Sequence, residues 1–197
     1  MELVIIKYNA GNVVSVANAL MRLGVRARLS DDPEQIRRAD KVIFPGVGEA
    51  STAMEYLRMR GLDKLIAGLR QPFLGICLGL QLMCDHSEEN DTECLGIFSL
   101  RVKKFKPVQK VPHMGWNKIR DIKGPLFEGL DHSAFIYFVH SYYAEIGAET
   151  IAVSDYIQPF SAALNKDNFY AVQGHPEKSG RTGERILENF LKIDRCK

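Results

Sequence analysis

The 197-residue chain carries 25% charged and 46% hydrophobic residues, ordinary values for a soluble globular protein, and one domain over residues 1–197 is the expectation at this length. A net charge of +2 is too mild to imply binding to nucleic acid or an anionic membrane, and no apolar run approaches the roughly 20 residues of a membrane-spanning helix. Cysteines 77, 84, 94 and 196 form no Cys-x-x-Cys pair, so neither zinc nor a disulfide framework is expected, and free thiols in a reducing cytoplasm fit best.

Met1–Ile6 lacks a basic region and leads directly into a strand-like run over Leu3–Ile6, so no signal peptide is expected. Val13–Leu23 reads as an amphipathic helix that follows Gly11-Asn12, and Val25–Leu29 as a second strand. Asp31-Asp32-Pro33 starts a short helix, with an N-cap carboxylate and proline in its first turn. Lys41–Phe44 is a third strand ending in Pro45-Gly46-Val47-Gly48, with helical segments across residues 50–69. Phe73–Ile76 is a fourth strand with Cys77 at its carboxyl end, and Leu78–Asp85 the helix behind it.

This βαβαβα order predicts an α/β fold, a mostly parallel sheet flanked by helices, with candidate sites at the carboxyl ends of the strands. The second half is rich in short strand-like runs: Leu100–Lys104, Phe135–Val139, Ile151–Ser154, Ser161–Leu164 and Phe169–Val172. They are expected to add antiparallel strands to the same sheet, closed by a helix over residues 180–193.

Cys77 stands in Gly75-Ile76-Cys77-Leu78-Gly79. Glycines two residues to either side fit a nucleophile elbow, a strained strand-to-helix turn whose backbone leaves no room for larger side chains. The start of the following helix favours thiolate over thiol. A base and its orienting carboxylate are supplied by His175-Pro176-Glu177, in which proline biases His175 towards an extended conformation. Taken alone, Cys77 is equally a packing residue, since free cysteine is among the most buried types; with the glycines and His-x-Glu it becomes a Cys77–His175–Glu177 triad. Backbone N–H groups of Gly46, Val47 and Gly48 on one side, and of Leu78 on the other, are candidates for an oxyanion hole. The two glycines leave that loop able to reorient.

Cys84, two helical turns beyond Cys77, reads as packing; Cys94 and Cys196 have no partner motif. His86 reads as exposed and His132 as a turn residue, whereas His113 and His140 are either structural or functional. Five basic residues between Arg101 and Lys110 read as a lysine-protected edge strand or a partner contact.

These motifs resemble the class I, triad-type glutamine amidotransferases, and in particular the branch that serves imidazole glycerol phosphate synthase in histidine biosynthesis. The resemblance runs through Gly11-Asn12, Pro45–Gly48, Gly75–Gln81, Ser87-Glu88-Glu89, Pro112-His113-Met114-Gly115-Trp116-Asn117, His140-Ser141-Tyr142 and His175–Glu177. It implies L-glutamine as substrate, a γ-glutamyl thioester on Cys77, no metal or organic cofactor, and transfer of ammonia to a separate (β/α)8 cyclase subunit. It further implies that Gln81, Glu89, His140, Ser141 and Tyr142 hold glutamine. Asn12, Met114, Trp116 and Lys178 would lie at or near the cyclase. The chain departs from the family in Tyr8-Asn9-Ala10, where an aspartate and an additional glycine are more usual, and in Gly174, where a bulky aromatic is. Alternatives are a paralogue feeding another synthase, such as one that amidates a surface sugar, a cysteine hydrolase of similar fold, and a non-catalytic regulatory subunit.

Overall fold

The computed structural model describes residues 1–8, 12–131 and 134–194. Residues 9–11 of the first loop, with Gly11, and His132 and Cys196 lie outside the described residues. The first half alternates as its pattern predicts: β1 (Leu3–Ile6), α1 (Val13–Arg22), β2 (Arg28–Ser30), α2 (Pro33–Arg38), β3 (Lys41–Gly46), α3 (Ala50–Met59), α4 (Leu62–Ala67), β4 (Phe73–Cys77) and α5 (Leu78–Leu82). The second half is mostly strand: β5 (Cys84–Ser87), β6 (Thr92–Glu93), β7 (Phe98–Lys104), β8 (His113–Lys118), β9 (Phe135–His140), β10 (Tyr142–Ala144), β11 (Thr150–Tyr156), β12 (Gln158–Lys166) and β13 (Phe169–Val172), then α6 (Gly180–Lys192).

The central sheet has seven strands in the order β11-β12-β13-β4-β3-β1-β2. From β13 to β2 all neighbours are parallel, while β11 and β12 are antiparallel additions. Strand side chains alternate faces, and both faces are covered. Val4, Ile6, Val42, Phe44 and Phe73 pack with α3, α4 and α5 on one side. Leu3, Ile5, Ile43, Leu74 and Ile76 pack with α1 and α6 on the other. Burial on both faces explains why these strands read as continuous apolar runs.

Several sequence expectations are corrected. The second strand begins at Arg28 rather than Val25, because Val25 belongs to the cap of α1. Gly24, at φ 77°, lets Val25 N–H reach Leu20 C=O and Gly24 N–H reach Met21 C=O, a Schellman ending. The helix after Cys77 stops at Leu82, and Cys84–Ser87 instead pairs with β7. Of the later strand-like runs, β7 lies in a four-stranded sheet of order β10-β7-β5-β6, and β9 pairs with β8 in a separate hairpin. Arg101–Lys104 is therefore flanked on both sides and is no edge. Its Lys103 is tied to Glu145 at 2.7 Å.

Candidate active site

The elbow is built as the glycine spacing requires. Cys77 adopts φ 55°, ψ −106°, a left-handed region that costs an L-residue about 1–2 kcal/mol. A Cβ on Gly79 would lie 1.9 Å from Phe44 O, and one on Gly75 2.5 Å from Met83 Sδ and 3.0 Å from the Gly79 carbonyl carbon. Backbone blocks a side chain at Gly79, while at Gly75 both Met83 and the elbow backbone would have to yield. Because α5 has five residues, no long summed dipole stands behind Cys77, and its sulfur makes no capping bond to the N–H groups of the first turn.

His175 follows β13, which lies beside β4 in parallel register, with Val172 opposite Ile76. Its backbone is extended (φ −107°, ψ 93°), and Pro176–Lys178 forms a short 3-10 turn. The turn folds Glu177 back so that the His175 Nδ1–H donates to Glu177 Oε1 at 2.7 Å, with both side chains fully buried. Asn12, at φ 77°, donates to the same carboxylate oxygen, so this residue touches the candidate triad directly. His175 Nε2 is buried without a hydrogen-bond partner among the described residues, which leaves it for Cys77. Burial pushes the imidazole down, but the Cys77 sulfur and then the Glu177 carboxylate more than offset this and hold it well above its usual range.

Gly174 bears on the family departure. A Cβ there would meet Ile136 Cδ1 at 2.8 Å, so Ile136 fills the space that an aromatic side chain would need.

In front of Cys77 lies a cavity of about 320 Å³ lined by Val47, Gly48, Leu78, Gln81, Glu89, Pro112 and the Val139–Tyr142 segment, a volume suited to a small ligand. Gly46 is not among the lining residues and stands opposite Cys77 in the β3–β4 register, and Gly48 has φ 126° with open space where a Cβ would be. Glu89 accepts the N–H of Ala50 through Oε2 at 2.7 Å, and burial raises its pKa.

The two uncertain histidines form a buried neutral pair. His140 Nδ1–H donates to Tyr142 O at 2.7 Å, so its Nε2 accepts from His113 Nδ1–H at 3.0 Å, and His113 Nε2 accepts from Asn117 at 3.3 Å; these tautomers follow from the carbonyl acceptor. Desolvation lowers His113 to about 4 and His140 to about 3. Tyr142 O also accepts from Gln81 Nε2 at 2.8 Å, and Gln81 Nε2 donates at 3.1 Å to Gln173 Oε1. The amide donors of Gln81 are thus engaged within the protein, and its Oε1 is what remains for a ligand.

Cys84 is buried with its thiol bonded to Leu80 O, as packing requires. His86 is half-buried rather than exposed, held by Asp91 at 2.8 Å and Arg101 at 3.2 Å. Met114, Trp116 and Lys178 are exposed; Trp116 packs edge-on against Tyr137 and lies 4.0 Å from where a Gly180 Cβ would be. Two residues near the sulfur escape the sequence reading. Gln173 donates to Cys77 Sγ. The Tyr8 hydroxyl is buried without a partner among the described residues, at a point 2.0 Å from where a Gly46 Cβ would stand. Only the position of Gln173, one residue past β13 and beside the elbow, could have pointed to it.

The family model for glutamine amidotransferase class-I matches residues 4–193. The imidazole glycerol phosphate synthase subunit HisH of Bacteroides fragilis is 59% identical over 196 residues, covering 98% of this chain and all of the relative. The corresponding subunit of Escherichia coli K12 is 45% identical over the same coverage. Among solved structures, a glutamine amidotransferase shares the fold with a TM-score of 0.75 at 18% identity, over 96% of this chain and 97% of that one. A putative GMP synthase subunit from Thermoplasma acidophilum does so at 0.73 and 21%, over 97% and 92%.

Proposed function

We propose, for a chain that belongs to the class I glutamine amidotransferase family, that it hydrolyses L-glutamine as the glutaminase subunit of an imidazole glycerol phosphate synthase in histidine biosynthesis. Full-length relatives at 44–59% identity support that assignment. The observation that carries the chemistry is the elbow cysteine beside a buried histidine whose other nitrogen is held by Glu177. In this reading one amidotransferase domain spans residues 1–197.

Cys77 thiolate attacks the glutamine amide carbon, and Leu78 N–H with the Gly46–Gly48 loop holds the developing oxyanion. His175 protonates the departing ammonia and then takes a proton from the water that cleaves the thioester; Glu177 keeps the ring oriented and stabilises its cation. Glu89 faces the α-ammonium through its free oxygen, Gln81 contributes Oε1, and the His140–Tyr142 segment holds the carboxylate end. The neutral His113–His140 pair fixes that segment without placing a charge in it.

The ammonia passes to a (β/α)8 cyclase subunit in a cytoplasmic heterodimer, docked over the face that carries Met114, Trp116, Lys178 and Asn12. The relatives' role as one subunit of a synthase supports this, as does the exposure of Met114 at 59% and Trp116 at 56%. No helix among the described residues is long and apolar enough to cross a membrane.

The test is glutamine hydrolysis by this chain with and without the cyclase and the cyclase's ligand. Glutamine turnover in the free chain should be weak and rise by at least tenfold in the pair, with the amide nitrogen appearing in the cyclase product. A free chain as fast as the pair would contradict the partner assignment.

A further inference from the structure

Gln173 occupies a position that packing alone does not explain. It is fully buried, one residue beyond β13, and the parallel register that sets Val172 opposite Ile76 carries it alongside Cys77. Its backbone N–H is held by Ala162 O at 2.9 Å, so the side chain leaves a fixed point. The amide oxygen accepts from Gln81 Nε2 at 3.1 Å, and the amide nitrogen lies 3.7 Å from Cys77 Sγ. A primary amide has one accepting and one donating end. Gln81 cannot be turned over without cost, because its amide nitrogen also serves Tyr142 O at 2.8 Å. Tyr142 O is in turn fixed by His140, and His140 by His113. The orientation of the Gln173 amide is therefore set from outside, with its N–H directed at the sulfur.

We propose that Gln173 is a further catalytic residue of the glutaminase reaction: its amide N–H donates to the Cys77 sulfur and stabilises the thiolate, while Gln81 positions that amide.

This rests on the triad reading above and adds a second donor to it. The carbonyl of Val139 lies 4.0 Å from Sγ and favours the thiol, so a donor on the other side has a competing group to outweigh. Of the titratable groups around the sulfur, His175 and Tyr8 face it, Glu177 stands behind His175, and His140 and Glu89 lie across the cavity. None of the others supplies an uncharged donor fixed by a second amide. A charge-assisted hydrogen bond of this kind favours the ionised partner. Its loss is expected to raise the pH at which Cys77 ionises by about one unit, a tenfold change in thiolate below that midpoint.

The experiment follows alkylation of Cys77 by iodoacetamide against pH in the full chain, read at the Cys77 peptide by mass so that the other cysteines do not contribute. Gln173→Met keeps length without a donor, and Gln173→Glu keeps shape but places an acceptor against the sulfur. The midpoint should rise by about one unit in Gln173→Met and further in Gln173→Glu. The thermal melt of the Met variant should stay near that of the unmodified chain, and with the cyclase its kcat should fall about tenfold at unchanged KM. A Met variant that titrates with the unmodified chain would overturn the role of Gln173 while leaving the triad standing. An unmodified chain whose Cys77 is alkylated no faster than free cysteine at neutral pH would sink the triad reading and the proposal with it. Should Gln173→Met fail to fold, the Glu variant decides by the same midpoint.

Discussion

Cys77→Gly is expected to be more stable than Cys77→Ala by about 1 kcal/mol, although both lose glutamine turnover by four orders of magnitude or more. The usual order is the reverse, since glycine gives up more backbone freedom on folding, by roughly 0.5–1 kcal/mol. At φ 55°, ψ −106°, however, a Cβ is strained by about 1–2 kcal/mol, and only glycine removes that strain. Comparing the two variants cancels the loss of the sulfur, which is common to both. Loss of turnover follows from removing the nucleophile of a unit whose members act together. Denaturant unfolding of the two full-length variants checks the first part and glutaminase assays with the cyclase the second. An alanine variant that is the more stable would mean that the elbow stores no strain, and near-normal turnover in either would remove Cys77 from the mechanism.

Gly183→Ala is expected to destabilise the protein by about 3 kcal/mol and to lower glutaminase activity at least tenfold, against the helix propensity of the residues involved. Gly183 is buried within α6, where alanine ordinarily gains about 1 kcal/mol over glycine. Here a Cβ would fall 1.8 Å from Pro176 O and 2.6 Å from its carbonyl carbon. Both are backbone atoms, so either α6 or the His175–Glu177 turn must move. Overpacking typically costs 1–3 kcal/mol, and occasionally more. Displacing the turn moves His175 relative to the sulfur, and misplacement by about 1 Å can cost a hundredfold in rate. Thermal melts and turnover with the cyclase check this. A variant more stable than the parent with unchanged activity would show that α6 does not hold the turn.

The elbow, the candidate triad and the glycine loop at residues 46–48 were legible in the sequence because each is specified within a few consecutive residues. Gly75 and Gly79 announce a turn that nothing larger can make, and His175-Pro176-Glu177 carries base and carboxylate two residues apart. What escaped depends on which distant strands pair. Phe169–Val172 reads as one more antiparallel strand, and it is antiparallel to β12, but on its other side it runs parallel to β4, which delivers Gln173 to the sulfur. The extent of α5 was misread because Leu82-Met83-Cys84 is apolar enough for helix or strand, and pairing with Phe98–Lys104 decides it. His113 and His140 are 27 residues apart and meet only because β8 and β9 form a hairpin that sets them opposite each other. The Tyr8 side chain behind Gly46 is likewise a consequence of tertiary packing. Local rules therefore locate the candidate nucleophile, while the groups packed around its sulfur are placed by strand register.

The most direct test is incubation of the chain, in complex with the cyclase, with a glutamine-like diazo-ketone, followed by mass mapping of the modified peptide. Covalent addition should occur at Cys77, be prevented by excess L-glutamine, and abolish glutaminase activity in proportion to labelling. Full loss of activity with Cys77 unmodified, or activity that survives complete labelling of Cys77, would contradict a thioester mechanism at this residue.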